Sequence, residues 1–332
     1  MRRYACLLSV LLLAAGCASP VDRGLDVPAS KPFMFPLSPQ ADLLQQLEQA
    51  LRKQDVDWLY ARVEPIYRQL LGTRDQFADT IATYGAGLDS LKLQTLLPLN
   101  GTIAYGWTYA NGSKGLQLRV TARGELDNLS FHDMRAHPDS DRLLTKLTYD
   151  PPFEGEWTAL SAGPSILMNE LYEDDFRRYG IDWIIANNGY TFKPGSDRLN
   201  NESYYAYGQK ILAPQDGVVI EAADGTADNE MAGVYDESMD MPFGNYVILD
   251  HRNGEFSFLA HMKNGSLRVQ PGDSVRKGDW LGNCGNSGVI LQPMLHMEVF
   301  DANHVSVPIR WAGGAKIVRG SRLQGASAAD AG

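Results

Sequence analysis

Between Ile181 and Ile309 the chain is cut by glycine at short intervals, and this spacing limits its fold more than any other feature. Runs such as Ile211-Leu212-Ala213, Tyr246-Val247-Ile248, Phe258-Leu259-Ala260 and Leu295-His296-Met297-Glu298 alternate with glycine turns almost throughout. Runs of three to six residues are too short to nucleate helices, and they are rich in residues that suit a pleated, half-buried surface. The second half is therefore expected to be an all-β domain, over residues 165–315.

The first half has a different period. From Asp42 to Lys53 the leucines Leu43, Leu44, Leu47 and Leu51 recur at helical spacing, and further helical stretches run from Val56 to Leu71 and from Arg74 to Leu88. Strands are predicted at Thr102–Tyr109, Leu116–Ala122 and Leu126–Phe131, with turns at Asn111-Gly112 and Arg123-Gly124. Helices followed by a β-meander make a small α+β domain over residues 41–150, and α+β is the class expected of the whole chain. That order resembles small cystatin-like or nuclear-transport-factor-like domains. A Pro/Gly segment from Pro151-Pro152 to Gly163-Pro164 is expected to divide the two domains, and residues 316–332 to form a tail frayed from about Gly320.

The amino terminus predicts export. Arg2 and Arg3 precede an apolar stretch from Tyr4 to Ala15, which fits the charged start and short core of a signal peptide and is too short to span a bilayer. Leu13-Ala14-Ala15-Gly16-Cys17 resembles a bacterial lipobox, with Ala14 where leucine is usual. Residues 1–16 would be removed and Cys17 would carry lipid, including palmitate, as a membrane anchor. Ala18 after Cys17 points to the outer membrane, facing the periplasm, if the host is Gram-negative. Residues 17–40, with Pro20, Pro28, Pro32, Pro36 and Pro39, read as a tether. Only Cys284 then remains as a thiol, and a tight turn of small residues gives it no assigned chemistry. The net charge of −10 over 332 residues argues against nucleic acid as a partner.

Four stretches of the second half fit one plan: Arg178-Tyr179-Gly180-Ile181-Asp182-Trp183, Ile211-Leu212-Ala213-Pro214 with Asp216-Gly217-Val218-Val219, Phe258-Leu259-Ala260-His261, and Leu281-Gly282 through Gly285-Asn286-Ser287-Gly288 to His296-Met297-Glu298. Over roughly Asn169 to Trp311 their order resembles the lysostaphin or LytM family of zinc metallopeptidases, the Gly-Gly endopeptidase or peptidoglycan-hydrolase family, with its duplicated hybrid motif fold. The resemblance implies a groove in a β-sheet where a histidine, an aspartate and the second histidine of a His-x-His pair hold zinc. Three ligands leave the fourth tetrahedral position to a water whose pKa the metal lowers, and a histidine base completes the chemistry.

By that resemblance Asp182 is the aspartate ligand, His296 the histidine ligand and His261 a catalytic histidine. The base histidine of the pair falls on Met294, a thioether that accepts no proton near neutral pH. The first histidine ligand falls on Leu171 or, with the commoner short spacing, on Arg178. No histidine lies between His137 and His251. Two protein ligands rarely retain a hydrolytic zinc, so none or weak zinc is expected. A carboxylate from Glu170 or Glu173 is the candidate substitute.

Three side features carry alternatives. His132, Asp133 and His137 are either a metal cluster or, as favoured, solvent-facing residues at a strand end. His251 reads as a hairpin residue. The acidic loop from Asp224 to Asp240 reads as a solvated insertion rimming the groove, against calcium or a cationic partner. The function expected is that of a cell-envelope lipoprotein whose peptidase-like domain is a pseudoenzyme, binding peptidoglycan peptides or regulating a cell-wall hydrolase. The alternatives are an active zinc endopeptidase cleaving peptidoglycan cross-link peptides with a substituted ligand, and a chain whose N-terminal domain is the functional part.

Overall fold

The computed structural model describes residues 37–235 and 241–326. The signal peptide, Cys17 and most of the tether lie outside the described residues, as do positions 236–240 of the acidic loop. No helix among the described residues is long and apolar enough to cross a membrane.

Helix α1 (Leu37–Lys53) is followed by α2 (Val56–Ala61), α3 (Pro65–Leu71) and α4 (Arg74–Tyr84). The stretch expected as one helix from Val56 to Leu71 is two, because Pro65 supplies no N–H and starts a new helix that Glu64 caps through the amides of Ile66 and Tyr67. Helix α4 opens with a capping box in which the Thr73 hydroxyl accepts from the Gln76 amide at 3.3 Å and the Gln76 side chain accepts from the Thr73 amide at 2.8 Å. Thr73→Ala is expected to lower stability by about 1 kcal/mol, read as an earlier urea midpoint at unchanged slope. An unmoved midpoint would remove the cap from the account.

The helices lie on one face of a four-stranded antiparallel meander, β1 (Lys92–Leu99), β2 (Thr102–Thr108), β3 (Lys114–Thr121) and β4 (Leu126–Asp133). Ile103, Tyr105, Trp107, Leu116, Leu118 and Val120 alternate inward against Leu47, Leu51, Leu59, Phe77 and Ile81. Strand β1 departs from the sequence expectation. Its leucines bunch instead of alternating, a bulge falls between Leu93 and Thr95, and Pro98 is tolerated because β1 is an edge strand.

After a short helix α5 (Pro138–Asp141), the second domain is all-β. Its strands are β5 (Glu156–Ser161), β6 (Ile181–Ile184), β7 (Lys210–Leu212), β8 (Gly217–Ala223), β9 (Asn245–Asp250), β10 (Glu255–Met262), β11 (Ser274–Val275), β12 (Trp280–Asn283), β13 (Leu295–Asp301) and β14 (Arg322–Gln324). Eight form an antiparallel sheet in the order β11-β8-β9-β10-β13-β6-β5-β14, and β12 pairs with β7. One face of the large sheet builds the core from Trp157, Trp183, Val247, Leu249, Leu259, Leu295, Met297 and Val299.

Two boundaries change. The Pro/Gly segment expected as a divider belongs to the second domain, since it contains β5 and buries Phe153 and Trp157 completely. The segment expected as a frayed tail supplies β14, which pairs Leu323 with Trp157. The domains touch directly. Leu167 packs over Gly106 and Gly115 of the meander, and the Asn100 side chain bonds Thr191, whose hydroxyl bonds Gln292.

Candidate functional site

The face of the large sheet turned away from the core carries the predicted site. Asp182 on β6 lies directly opposite His296 on β13, and His296 lies opposite Ala260 on β10, next to His261. Directly opposed residues project to the same face, so the register brings Asp182 and His296 together beside Ala260, and a bulge at the next residue turns His261 to that same face. The Asp182 Oδ1 to His296 Nδ1 distance is 2.8 Å, and the His261 and His296 ring centroids are 6.2 Å apart. Gly180 is required by this packing: a Cβ there would come within 2.6 Å of His296 Cε1.

His296 is 2% exposed and lies between two carboxylates. Its Nε2 faces Glu298 Oε2 at 3.7 Å, and neither atom has a hydrogen bond among the described residues. Burial alone would lower its pKa. The hydrogen bond to Asp182, with the charges of Asp182 and nearby Glu298, outweighs burial and raises it to about 9. At neutral pH this residue is an imidazolium. Glu298, two positions along β13, was not singled out by sequence; its place two residues from His296 on one strand was the available signal.

His261 behaves in the opposite way. Burial, then the neighbouring His296, lowers its pKa to about 4, so it is a neutral ring. Its Nδ1 lies 2.8 Å from the Ser287 carbonyl, which makes Nδ1 the donor and leaves Nε2 as the acceptor. The backbone adopts φ +63° at the bulge where β10 slips register on β9, an uncommon left-handed conformation for histidine. Bonds from His261 N to Phe243 O and from Gly285 N to His261 O hold it there. Beside the histidines, Phe243, Tyr246 and Phe258 form an aromatic floor, with Phe243 and Phe258 meeting edge to face at 5.0 Å.

Met294 is half-buried immediately before β13. Arg178 is buried, and its guanidinium turns back into its own loop, donating to the Tyr172 carbonyl and pairing with Asp175. Buried Asn169 organises that loop by donating to the Arg178 and Gly180 carbonyls. Tyr172 and Tyr179 both donate to Asp141 of α5. Of the two substitute ligands, Glu173 lies 3.7 Å from His137 and 3.9 Å from Arg135, and is not brought to Asp182. Glu170 is exposed as a residue. Its carboxyl is nonetheless crowded enough that desolvation raises its pKa, with Arg319 and Arg119 opposing and Asp182 adding.

Zinc fits poorly to this donor set. Asp182 and His296 are one protein ligand short of the three a hydrolytic zinc takes, and the described residues contain no group of three His, Cys, Asp or Glu able to hold a metal ion. The same holds for His132, Asp133 and His137. His132 bonds Ser130, Asp133 pairs with Lys114, and His137 faces Glu173. His251 is more than a hairpin residue: it is buried, lies 2.7 Å from the Asp216 carbonyl and 3.0 Å from the Ser257 hydroxyl, and meets Tyr149 edge to face. Burial raises the Cys284 pKa, keeping the thiol protonated. In the acidic loop, Asp224 caps Gly265 and Asp228 binds Tyr207 and Asn286, so both carboxylates brace loops.

Residues 204–308 match the profile of Peptidase family M23, a span that includes His261, Met294 and His296 but begins after Asp182. The chain is 33% identical over 92 residues to the cell division protein DipM of Caulobacter vibrioides, covering 28% of this chain and 14% of DipM. It is 30% identical over 128 residues to the peptidoglycan DD-endopeptidase ShyA of Vibrio cholerae, covering 37% of this chain and 27% of ShyA. The chain thus spans well under a third of either relative. Among solved structures, the catalytic domain of lysostaphin from Staphylococcus simulans aligns at 19% identity with a TM-score of 0.25, covering 39% of this chain and 72% of that one. The likeness to the lysostaphin/LytM-type peptidases of family M23 therefore lies in the carboxy-terminal domain, over residues 204–308.

Proposed function

We propose that this chain is a cell-envelope lipoprotein, anchored through Cys17, whose M23 domain binds peptidoglycan peptides without cleaving them. The observation that carries the reading is the direct 2.8 Å contact between Asp182 and His296, with Met294 at the position of the base. An imidazolium between Asp182 and Glu298 supplies the positive charge that a metal would bring to the two carboxylates, and it offers no coordination site for water. His261 retains a free acceptor nitrogen, but the first histidine of the family's His-x-His pair, which would be the base, is replaced by Met294. The sheet and its aromatic floor are built by packing, so the groove keeps its shape without metal. A wall hydrolase regulated by the same groove is the alternative partner.

The test is zinc content by mass spectrometry after dialysis against trace zinc, beside an assay for soluble fragments released from peptidoglycan. Well under one zinc per chain and no release are expected. Stoichiometric zinc that disappears in both Asp182→Ala and His296→Ala, together with release, would establish the active endopeptidase instead.

A further inference from the structure

A concave site lies apart from the Asp182, His261 and His296 cluster, at the end of the strand that carries His261. Lys263, Ser266, Arg268, Trp280 and Asn283 line a cavity of about 470 Å³. The guanidinium carbon of Arg268 sits 3.4 Å over the Trp280 ring, and Lys210 Nζ lies 5.4 Å from the same ring. The indole is fixed from its edge, since Nε1 donates to the Gly282 carbonyl at 2.9 Å and to Asn283 Oδ1 at 3.1 Å. The loop above it is equally fixed. Asp224 accepts from the Gly265 amide at 2.8 Å, the Ser266 hydroxyl accepts from the Asn283 amide at 3.0 Å, and the Arg268 amide bonds the Leu281 carbonyl at 2.9 Å.

Charge pairing sets Arg268 apart. Lys210 and Lys263 each have a carboxylate nearby, Glu154 at 3.1 Å and Glu202 at 3.6 Å, whereas Arg268 makes no ion pair among the described residues. In a chain of net charge −10, a guanidinium held flat on an indole without an acidic partner is a local exception. Stacking uses the face of the guanidinium and leaves its in-plane donors directed outward, in the fork that matches a carboxylate. Ser266 and Asn283 add short polar groups beside it.

We propose that this cavity binds a free carboxylate of a peptidoglycan stem peptide, with Arg268 as the bidentate partner and Trp280 as the platform that holds it. The inference rests on the peptidoglycan-binding reading above and adds to it a second contact, beyond the end of β10.

The purified full chain, solubilised in detergent, is sedimented with intact peptidoglycan sacculi and with glycan strands stripped of their stem peptides by an amidase. The wild-type chain is expected to sediment with intact sacculi and only weakly with stripped strands. Arg268→Gln, an exposed substitution that leaves the fold untouched, should weaken binding to intact sacculi about ten-fold, and Arg268→Lys less, because an ammonium keeps the charge without the fork. Equal sedimentation of Arg268→Gln and wild type would overturn the inference and leave the peptidoglycan reading standing. Equal binding of wild type to stripped strands would overturn the carboxylate assignment. A wild-type chain that stays in solution with intact sacculi would remove both.

Discussion

Replacing Trp157 by alanine is expected to destabilise the second domain by about 3–5 kcal/mol, the cost of a large cavity in a close-packed core. Trp157 is fully buried, stacks on Phe153 at 4.8 Å and donates from its indole nitrogen to the Glu154 carbonyl at 3.1 Å. It sits on β5, inside the Pro/Gly-bounded segment that composition marks as a divider between domains. The experiment therefore tests where the cooperative unit begins as much as how it is packed. Chemical denaturation is the measurement. A loss under about 1 kcal/mol, of the size expected for a surface substitution, would place residues 150–164 outside the folded unit.

The second large effect is a stability maximum near neutral pH with opposite causes on its two sides. The folded pKa of His296, about 9, is raised above its unfolded value of 6.5. Its contribution is full below pH 6.5 and is lost as pH climbs through about 9, an amount up to about 3 kcal/mol. His261 runs the other way. Its folded pKa, lowered to about 4, makes the neutral ring the stable form, so its contribution is present above pH 6.5 and drains away as pH falls towards 4. Burial lowers the pKa of His251 and His132 as well, which steepens the acid side. Denaturant midpoints measured across pH 4–10 with a chelator present should trace this shape. Asp182→Asn removes the carboxylate hydrogen-bonded to His296, and should flatten the alkaline limb while leaving the acid limb in place. An alkaline limb unchanged in Asp182→Asn would refute the assigned cause.

How far sequence reached depended on whether a residue's role is local. Helix α4 and strands β2 to β4 follow from periodicity and turn residues, which are encoded within a few positions. Strands β1, β5 and β14 do not, since each is short or irregular and exists because a neighbour offers an edge. At the candidate site, Asp182, His261 and His296 are the residues motif order singles out, and the register of β6 on β13 sets Asp182 opposite His296. Glu298 was passed over although it sits on the same strand face, because no motif position marks it as a donor. The left-handed backbone of His261 had no local signal either; it arises from a bulge fixed by contacts with Phe243 and Gly285 from distant segments. Gly180 stands directly before β6 in the sequence, but only the nearness of the His296 ring shows why no side chain fits there.

The order of the large sheet also governs how the second domain can be isolated. Strand β14 is the outermost strand, and β5 lies between it and β6. A fragment cut at residues 165 and 315, where sequence alone would place the ends, loses β5 and β14 together and leaves β6, the strand bearing Asp182, with a bare row of backbone donors and acceptors. Such an edge is a template for pairing with another copy. Aggregation of that fragment would report the missing strands and say nothing about the groove, whereas a fragment running from Lys146 to Ala326 keeps β5 and β14 in place beside β6.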